Sequence, residues 1–371
     1  MPLPFPAHNV SPVRIAAERL PTPRLPDEVF APNTALRHAR RLFEGHVVGS
    51  ESVAVAPDGS LWMLDKWGYV WVATASGDDY SLDAQPLAYV GPGRPLGFHF
   101  TANGDLAICN SLSGLMLLER PAADSTKWRL RCLSNTAGGR PVSYANDLTI
   151  GSAGRIYFSD SSTIPPALNQ AAPRPWYDTL RSFMLTLWHG GPTGRLLCYD
   201  PSTDATTVLA DGLWYANGVA LAADESFVAV VETCSMRVRR HWLEGPKAGS
   251  MDTLIDRLPG WPDNIVESSD GGFWLCLVLP DMPLVHKVLP QPWLRSLVAK
   301  LPEWLLPPKP QWGCVLRLSA QGEVVQALTD PDGRHVSHIS SVTEHADKLF
   351  IGNLARDYVS VLDLRAVEEP H

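Results

Sequence analysis

The chain has 371 residues, 45% of them hydrophobic, and its 31 Lys and Arg against 39 Asp and Glu leave a formal charge of −8. The basic residues gather into no stripe able to neutralise phosphates, which excludes nucleic acid as a partner. Six widely spaced cysteines form no C-x-x-C pair and no zinc-type spacing with histidine, and no stretch reaches the ~18 apolar residues of a membrane span.

Residues 1–40 read as an N-terminal arm. Its prolines interrupt any apolar run that a signal peptide would need, so the expectation is a soluble, cytoplasmic chain. From residue 41 to 371 a single repeating unit takes over. The segment 42–55 (LFEGHVVGSESVAV) is expected to supply an outer strand that closes a ring with the C-terminal VSVLDL. A turn followed by an apolar strand then recurs as PDGSLWMLD (57–65), ANGDLAICN (102–110), SAGRIYFSD (152–160), ADESFVAVVE (223–232), SDGGFWLCL (269–277) and ADKLFIGNL (346–354). Equivalent turn positions at Gly59, Gly104, Gly154, Glu225, Gly271 and Lys348 are separated by 45, 50, 71, 46 and 77 residues. Further strand pairs between the copies bring each unit to about four strands, one propeller blade. The fold expected is therefore all-β, a six-bladed β-propeller.

Two long steps carry insertions. The first, 164–191, spaces Leu180, Phe183, Met184 and Leu187 as on a helix; the second, 280–310, does the same with Trp293, Leu294, Leu297, Val298, Leu301, Trp304 and Leu305. Both are expected to be helical and near the channel mouth. Three uses remain open for them: filling space at blade edges, a lid that sorts apolar substrates, and an interfacial membrane or partner contact.

The segment leading into each innermost strand of a propeller lines its axis. Counting back eight residues from the turns gives Glu51, Asn146, Asn217 and Asp263, with Leu96 and Ser340 in the other two blades. Four oxygen donors in phase, among otherwise apolar strands, are costly to desolvate without a partner. Two carboxylates and two carboxamides suit a hard divalent cation, Ca2+ first, with Mg2+ and Mn2+ also open, and the lack of His and Cys argues against zinc.

The segments YANDLTIGSAGRIYFSDSST, YANGVALAADESFVAVVET, LEGPKAG, LPGWPDNIVESSDGGFW and ISSVTEHADKLFIGNL resemble the strictosidine synthase-like propellers, especially the adipocyte plasma membrane-associated protein branch, over residues 44–364. That group stands beside the gluconolactonases and paraoxonases, divalent-metal-dependent hydrolases of lactones and esters. The resemblance implies Glu51, Asn146, Asn217 and Asp263 as metal ligands, and adds Asn264. The catalytic glutamate of the plant condensing enzymes falls at Ser340, which puts condensation in doubt. Hydrolysis of a small, apolar lactone or activated ester is the activity expected, with Asp263 or a water activated at the cation as nucleophile. His338 and then His99 are the candidate bases, and Arg94 and Ser340 the candidate substrate contacts. The alternatives are a non-catalytic calcium-binding propeller and a condensing enzyme of the strictosidine synthase type.

Overall fold

The computed structural model describes residues 10–22, 30–77, 79–170, 173–301 and 305–368. Six antiparallel sheets of four or five strands surround one axis as the blades of a propeller, with neighbouring strands hydrogen-bonded in each. The innermost strands are Val53–Val55, Pro95–Phe100, Ala145–Ile150, Ala216–Leu221, Gly260–Glu267 and Ile339–His345. Apolar side chains fill the layers between neighbouring blades. Phe227, Leu254, Phe273 and Leu316 pack between the fourth and fifth, and Leu42, Met63, Phe350 and Val361 between the sixth and first. Both faces of a blade are thus covered, which is why these strands are apolar at nearly every position.

Ring closure differs in detail from the expectation. The outer strand of the last blade is Arg40–Leu42, paired antiparallel with Val359–Asp363, while residues 53–55 form the inner strand of the first blade. The N-terminal arm therefore contributes its last residue to the ring. At the inner turns, Gly59, Gly104, Gly154 and Gly271 hold φ near +80°, and Glu225 takes the same left-handed conformation at +55°. Its carboxylate accepts the Ser152 amide at 2.7 Å, a compensation that glycine lacks. The sixth turn is tighter, with Ala346 and Asp347 left-handed and Lys348 already in the next strand.

The first insertion forms a small hairpin (Ala167–Asn169 with Trp176–Asp178) and the helix α1, Thr179–His189. Asp178 caps α1 by accepting the Arg181 amide, and Gly190 ends it at φ 76°. The second forms two helices, α2 (Pro283–Val288) and α3 (Pro292–Lys300), each with proline in its first turn, where no intrahelical N–H is needed. The stripe expected on α3 is split. Leu294 and Val298 pack inward, Trp293 and Leu297 are 67% and 52% exposed, and Trp304 lies outside the described residues. Arg295, fully buried, ties the insertions together by donating to the carbonyls of Trp188, His189 and Val13. Phe183, Leu187 and Trp188 join Tyr144, Tyr215, Trp214 and Trp261 in a cluster that caps one end of the axis. All six cysteines are free, with Cys132 exposed and the others buried.

Candidate metal centre

Asn146, Asn217 and Asp263 are each placed by an irregularity in their strands, whereas Glu51 precedes the inner strand of the first blade, Val53–Val55. In five blades the pairing of the innermost strand shifts register over three residues: Pro95 to Phe98, Ala145 to Leu148, Ala216 to Val219, Pro262 to Ile265 and Ile339 to Val342. Leu96, Asn146, Asn217, Asp263 and Ser340 each follow the first residue of such a shift, so the bulge re-aims that side chain out of the pleat. Two residues earlier, Tyr215 and His338 hold φ of 65° and 55°, a conformation that only Gly49, at the same place in the first blade, adopts without cost.

Glu51, Asn146, Asn217 and Asp263 are each 2–3% exposed and line one cavity of about 20 Å3. That volume matches a single water or ion. Each residue turns one oxygen toward no hydrogen-bonding partner: Glu51 Oε2, Asn146 Oδ1, Asn217 Oδ1 and Asp263 Oδ2. The amide orientations are held from behind. Asn146 Nδ2 donates to Ser161 Oγ at 2.9 Å, whose hydroxyl in turn donates to Ala216 O at 2.7 Å. Asn217 Nδ2 donates to Thr233 Oγ1 at 3.2 Å and to Asp263 Oδ1 at 2.5 Å. Four buried acceptors without donors are a net cost that a hard cation relieves, so the donor set fits the ion expected. Among the described residues no group of three or more His, Cys, Asp or Glu is arranged to hold a metal, consistent with a set half made of carboxamides.

Burial pushes the Glu51 carboxyl well above its usual range, and the neighbouring Asp263 adds to the rise. Burial likewise pushes Asp263 up to about 7, against the hydrogen bond from Asn217. Arg94 opposes both shifts with its charge. It is 2% exposed, and its guanidinium donates to Gly49 O, Leu354 O and Thr179 Oγ1 at 2.8–3.1 Å. Arg94 therefore lies inside the structure, clamping the first blade, the last blade and the start of α1, and faces no open mouth.

The other expected residues are placed differently. Ser340 Oγ donates to Glu51 O at 2.8 Å, beside Ser341 Oγ at 2.7 Å, so its hydroxyl joins the last blade to the first. His99 and Asn264 line a second axial cavity of about 240 Å3, one layer below, with Asp147 and Ser52. His99 is exposed to solvent within that walled space. Both amide atoms of Asn264 lack a partner, and burial raises Asp147 to about 7. His338 lines neither axial cavity; burial, Arg356 and Lys309 push it down to about 4, and its Nδ1 meets Ser337 Oγ at 3.3 Å. Of the three candidate catalytic groups, the structure brings Asp263 alone to the four-oxygen cavity.

Sequence reasoning missed the rest of that cavity's wall. Tyr144 and Tyr215 meet there, with Tyr215 OH donating to Tyr144 OH at 2.9 Å, and Leu180, Phe183, Val278 and Leu354 roof the space. The tyrosines had a signal: each stands two residues before a column asparagine in the repeated triplet YAN. In the roof, Leu180 and Phe183 were marked by the helical spacing of the first insertion, but what they cover depends on where α1 docks.

Two family descriptions match: strictosidine synthase over residues 146–246, and strictosidine synthase-like, N-terminal, over residues 28–71. The chain is 34% identical to the adipocyte plasma membrane-associated protein of Bos taurus, covering 91% of this chain and 81% of that one. It is 31% identical to strictosidine synthase-like 3 of Arabidopsis thaliana, covering 93% and 89%. A gluconolactonase from Xanthomonas campestris shares the fold at a TM-score of 0.58 and 17% identity, covering 92% and 94%. The calcium-binding protein regucalcin from Agrobacterium tumefaciens does so at 0.52 and 13%, covering 87% and 92%. One expectation is corrected here. A soluble cytoplasmic location has no support, because the animal relatives are by name associated with the plasma membrane; among the described residues, no helix is long and apolar enough to cross one.

Proposed function

Because the chain belongs to the strictosidine synthase-like family that includes the adipocyte plasma membrane-associated proteins, we propose that it holds a hard divalent cation, calcium first, at Glu51, Asn146, Asn217 and Asp263 and hydrolyses lactones or activated esters there. The observation that carries the reading is the convergence of four unpartnered, buried oxygens on one ion-sized cavity. The gluconolactonase and regucalcin folds are in keeping with it. When bound, the cation polarises the substrate carbonyl and stabilises the charge that develops on its oxygen.

The residues of the chain divide the remaining work. Glu51 and Asp263 bring the negative charge, and Arg94 favours their ionised forms. Ser161 and Thr233 hold the carboxamides so that oxygen, not nitrogen, faces the cavity. Asp263 is assigned the nucleophile or base role because it alone of the candidate catalytic groups lines this cavity. Asn264, one layer below, is kept as a further candidate ligand, and His338 and His99 as groups that act only if the site opens. Condensation of the strictosidine synthase type is disfavoured, because Ser340 has no activating base and its proton is committed to Glu51 O.

A specific observation favours a second reading. The roof of Leu180, Phe183, Val278 and Leu354 leaves about 20 Å3, too little for a lactone, so a substrate has to displace the first turn of α1. If that turn stays closed, the protein is a non-catalytic calcium-binding propeller. Metal-stripped protein assayed on aliphatic lactones and phenyl acetate, with and without added calcium and beside Asp263→Ala, separates the two. Turnover that calcium restores and the variant lacks supports hydrolysis; tight calcium binding with no turnover on any substrate supports the second reading.

A further inference from the structure

The helical insertions enclose a cavity that the candidate metal centre does not use. It measures about 670 Å3, and its walls include Met184 and Trp188 of α1, Val285 and Val288 of α2, Val298 of α3 and Leu306 beyond it. One wall is shared with the site. Leu180 and Phe183 of α1 face the four-oxygen cavity, whereas Met184 and Trp188 face this one. The strand Phe273–Pro280 alternates in the same way, Val278 toward the first and Leu279 toward the second.

Protein interiors are packed with few voids larger than a water, and an apolar wall facing an empty space forfeits its dispersion contacts. A volume of 670 Å3 falls instead within the roughly 300–1,000 Å3 of ligand pockets. A docking helix does not fit it. With a diameter of ~10 Å and a rise of ~1.5 Å per residue, a helix would fill the space within about six residues, short of the i to i+7 anchors such docking uses. A narrower apolar body suits it better. The charged groups of the lining are Arg181, Lys309 and Asp281, all half-buried, and Asp281 is already engaged by His286 Nε2 at 2.5 Å. Leu284 and Leu305, 58% and 52% exposed, mark the solvent side.

We infer that this cavity binds the hydrocarbon chain of a free single-chain amphiphile of the fatty-acid class, with its carboxylate head at the rim beside Arg181 and Lys309. The inference stands apart from the cation reading, because the two cavities are lined by different residues.

The test is a titration of the full chain with straight-chain fatty acids of increasing length, in competition with a fluorescent fatty acid. Affinity rises about fourfold for each added methylene, the factor for burying one CH2, until the chain outgrows the cavity. Leu284→Asp puts a charge on an exposed part of the wall without touching the packed core, and lowers affinity roughly tenfold or more. Val288→Trp takes up part of the cavity and shortens the chain length at which affinity stops rising, with melting curves to show that the fold survives. Chelation of calcium leaves the affinity unchanged, which keeps this result distinguishable from any failure at the metal centre. Affinity indifferent to chain length, wild-type binding by both variants, or binding to phospholipid vesicles alone would each overturn the inference.

Discussion

Removing the cation turns the axial carboxylates into a liability whose size depends on pH. In the cation-free protein Asp263 is pushed from an ordinary 3.8 up to about 7 by burial, and Glu51 shifts in the same direction. The folded state therefore holds the Asp263 proton more tightly than the unfolded state. Below pH ~4 both states are protonated and nothing is lost; stability falls as pH rises toward ~7 and the loss is complete above it. At about 1.36 kcal/mol per pKa unit, a rise of roughly three units costs about 4 kcal/mol. With an unfolding entropy of ~2 cal/mol/K per residue, that is a drop of about 5 °C in melting temperature for this chain. Asp147, raised to about 7 by the same burial, adds a slope to every curve, so the readout is a difference between curves. Melting followed from pH 4 to 8 in chelator and in saturating calcium should diverge across this window, with calcium abolishing the loss due to the ligands. Asp263→Asn keeps an acceptor for Asn217 and removes the charge. In chelator above pH 7 it should melt higher than the chelated wild type, and calcium should no longer stabilise it. Superimposable wild-type profiles with and without calcium, or an Asp263→Asn variant less stable than the chelated parent, would refute the reasoning.

Gly218 packs against the inner strand of the fifth blade, where an added Cβ would lie 2.5 Å from Asn264 Cα. Gly218→Ala should part the fourth and fifth blades, costing about 2 kcal/mol of stability and roughly tenfold in calcium affinity by calorimetry. Arg195 and Asp160 form a buried pair at 2.6 Å, and Asp160 also accepts the Ser143 and Tyr144 amides. Arg195→Met leaves that carboxylate uncompensated and should cost about 3–5 kcal/mol in urea unfolding. Arg295→Ala strands the carbonyls of Trp188, His189 and Val13. It should cost roughly 2–4 kcal/mol, and hydrogen exchange should rise first in α1 while the blades keep their protection.

The blade count was legible because each inner turn repeats one local problem, a left-handed residue followed by a fully buried strand. A chain solves that problem with nearby residues: Gly59, Gly104, Gly154 and Gly271 share it, and Glu225 obeys it without glycine. The phase of the column was legible for the same reason. A constant distance from the turn brings Glu51, Asn146, Asn217 and Asp263 to one level of the axis, and two of them are announced by a repeated YAN. The docking of the roof, the clamp and the second cavity were not legible. Arg94 looked like a candidate for the channel mouth, yet its charge is fixed by Leu354 O, 260 residues away, and by Thr179 at the start of a helix that has to dock first. His99 and Asn264 stand close to the column in sequence but line the second cavity: Asn264, like Asp147, follows the column residue within its register shift, and His99 follows the end of one. Spacing along the chain carries what a single blade decides for itself; ring closure between Arg40–Leu42 and Val359–Asp363, and the docking of α1 over the ligands, arise only from contacts between blades, and only the tertiary structure decides them.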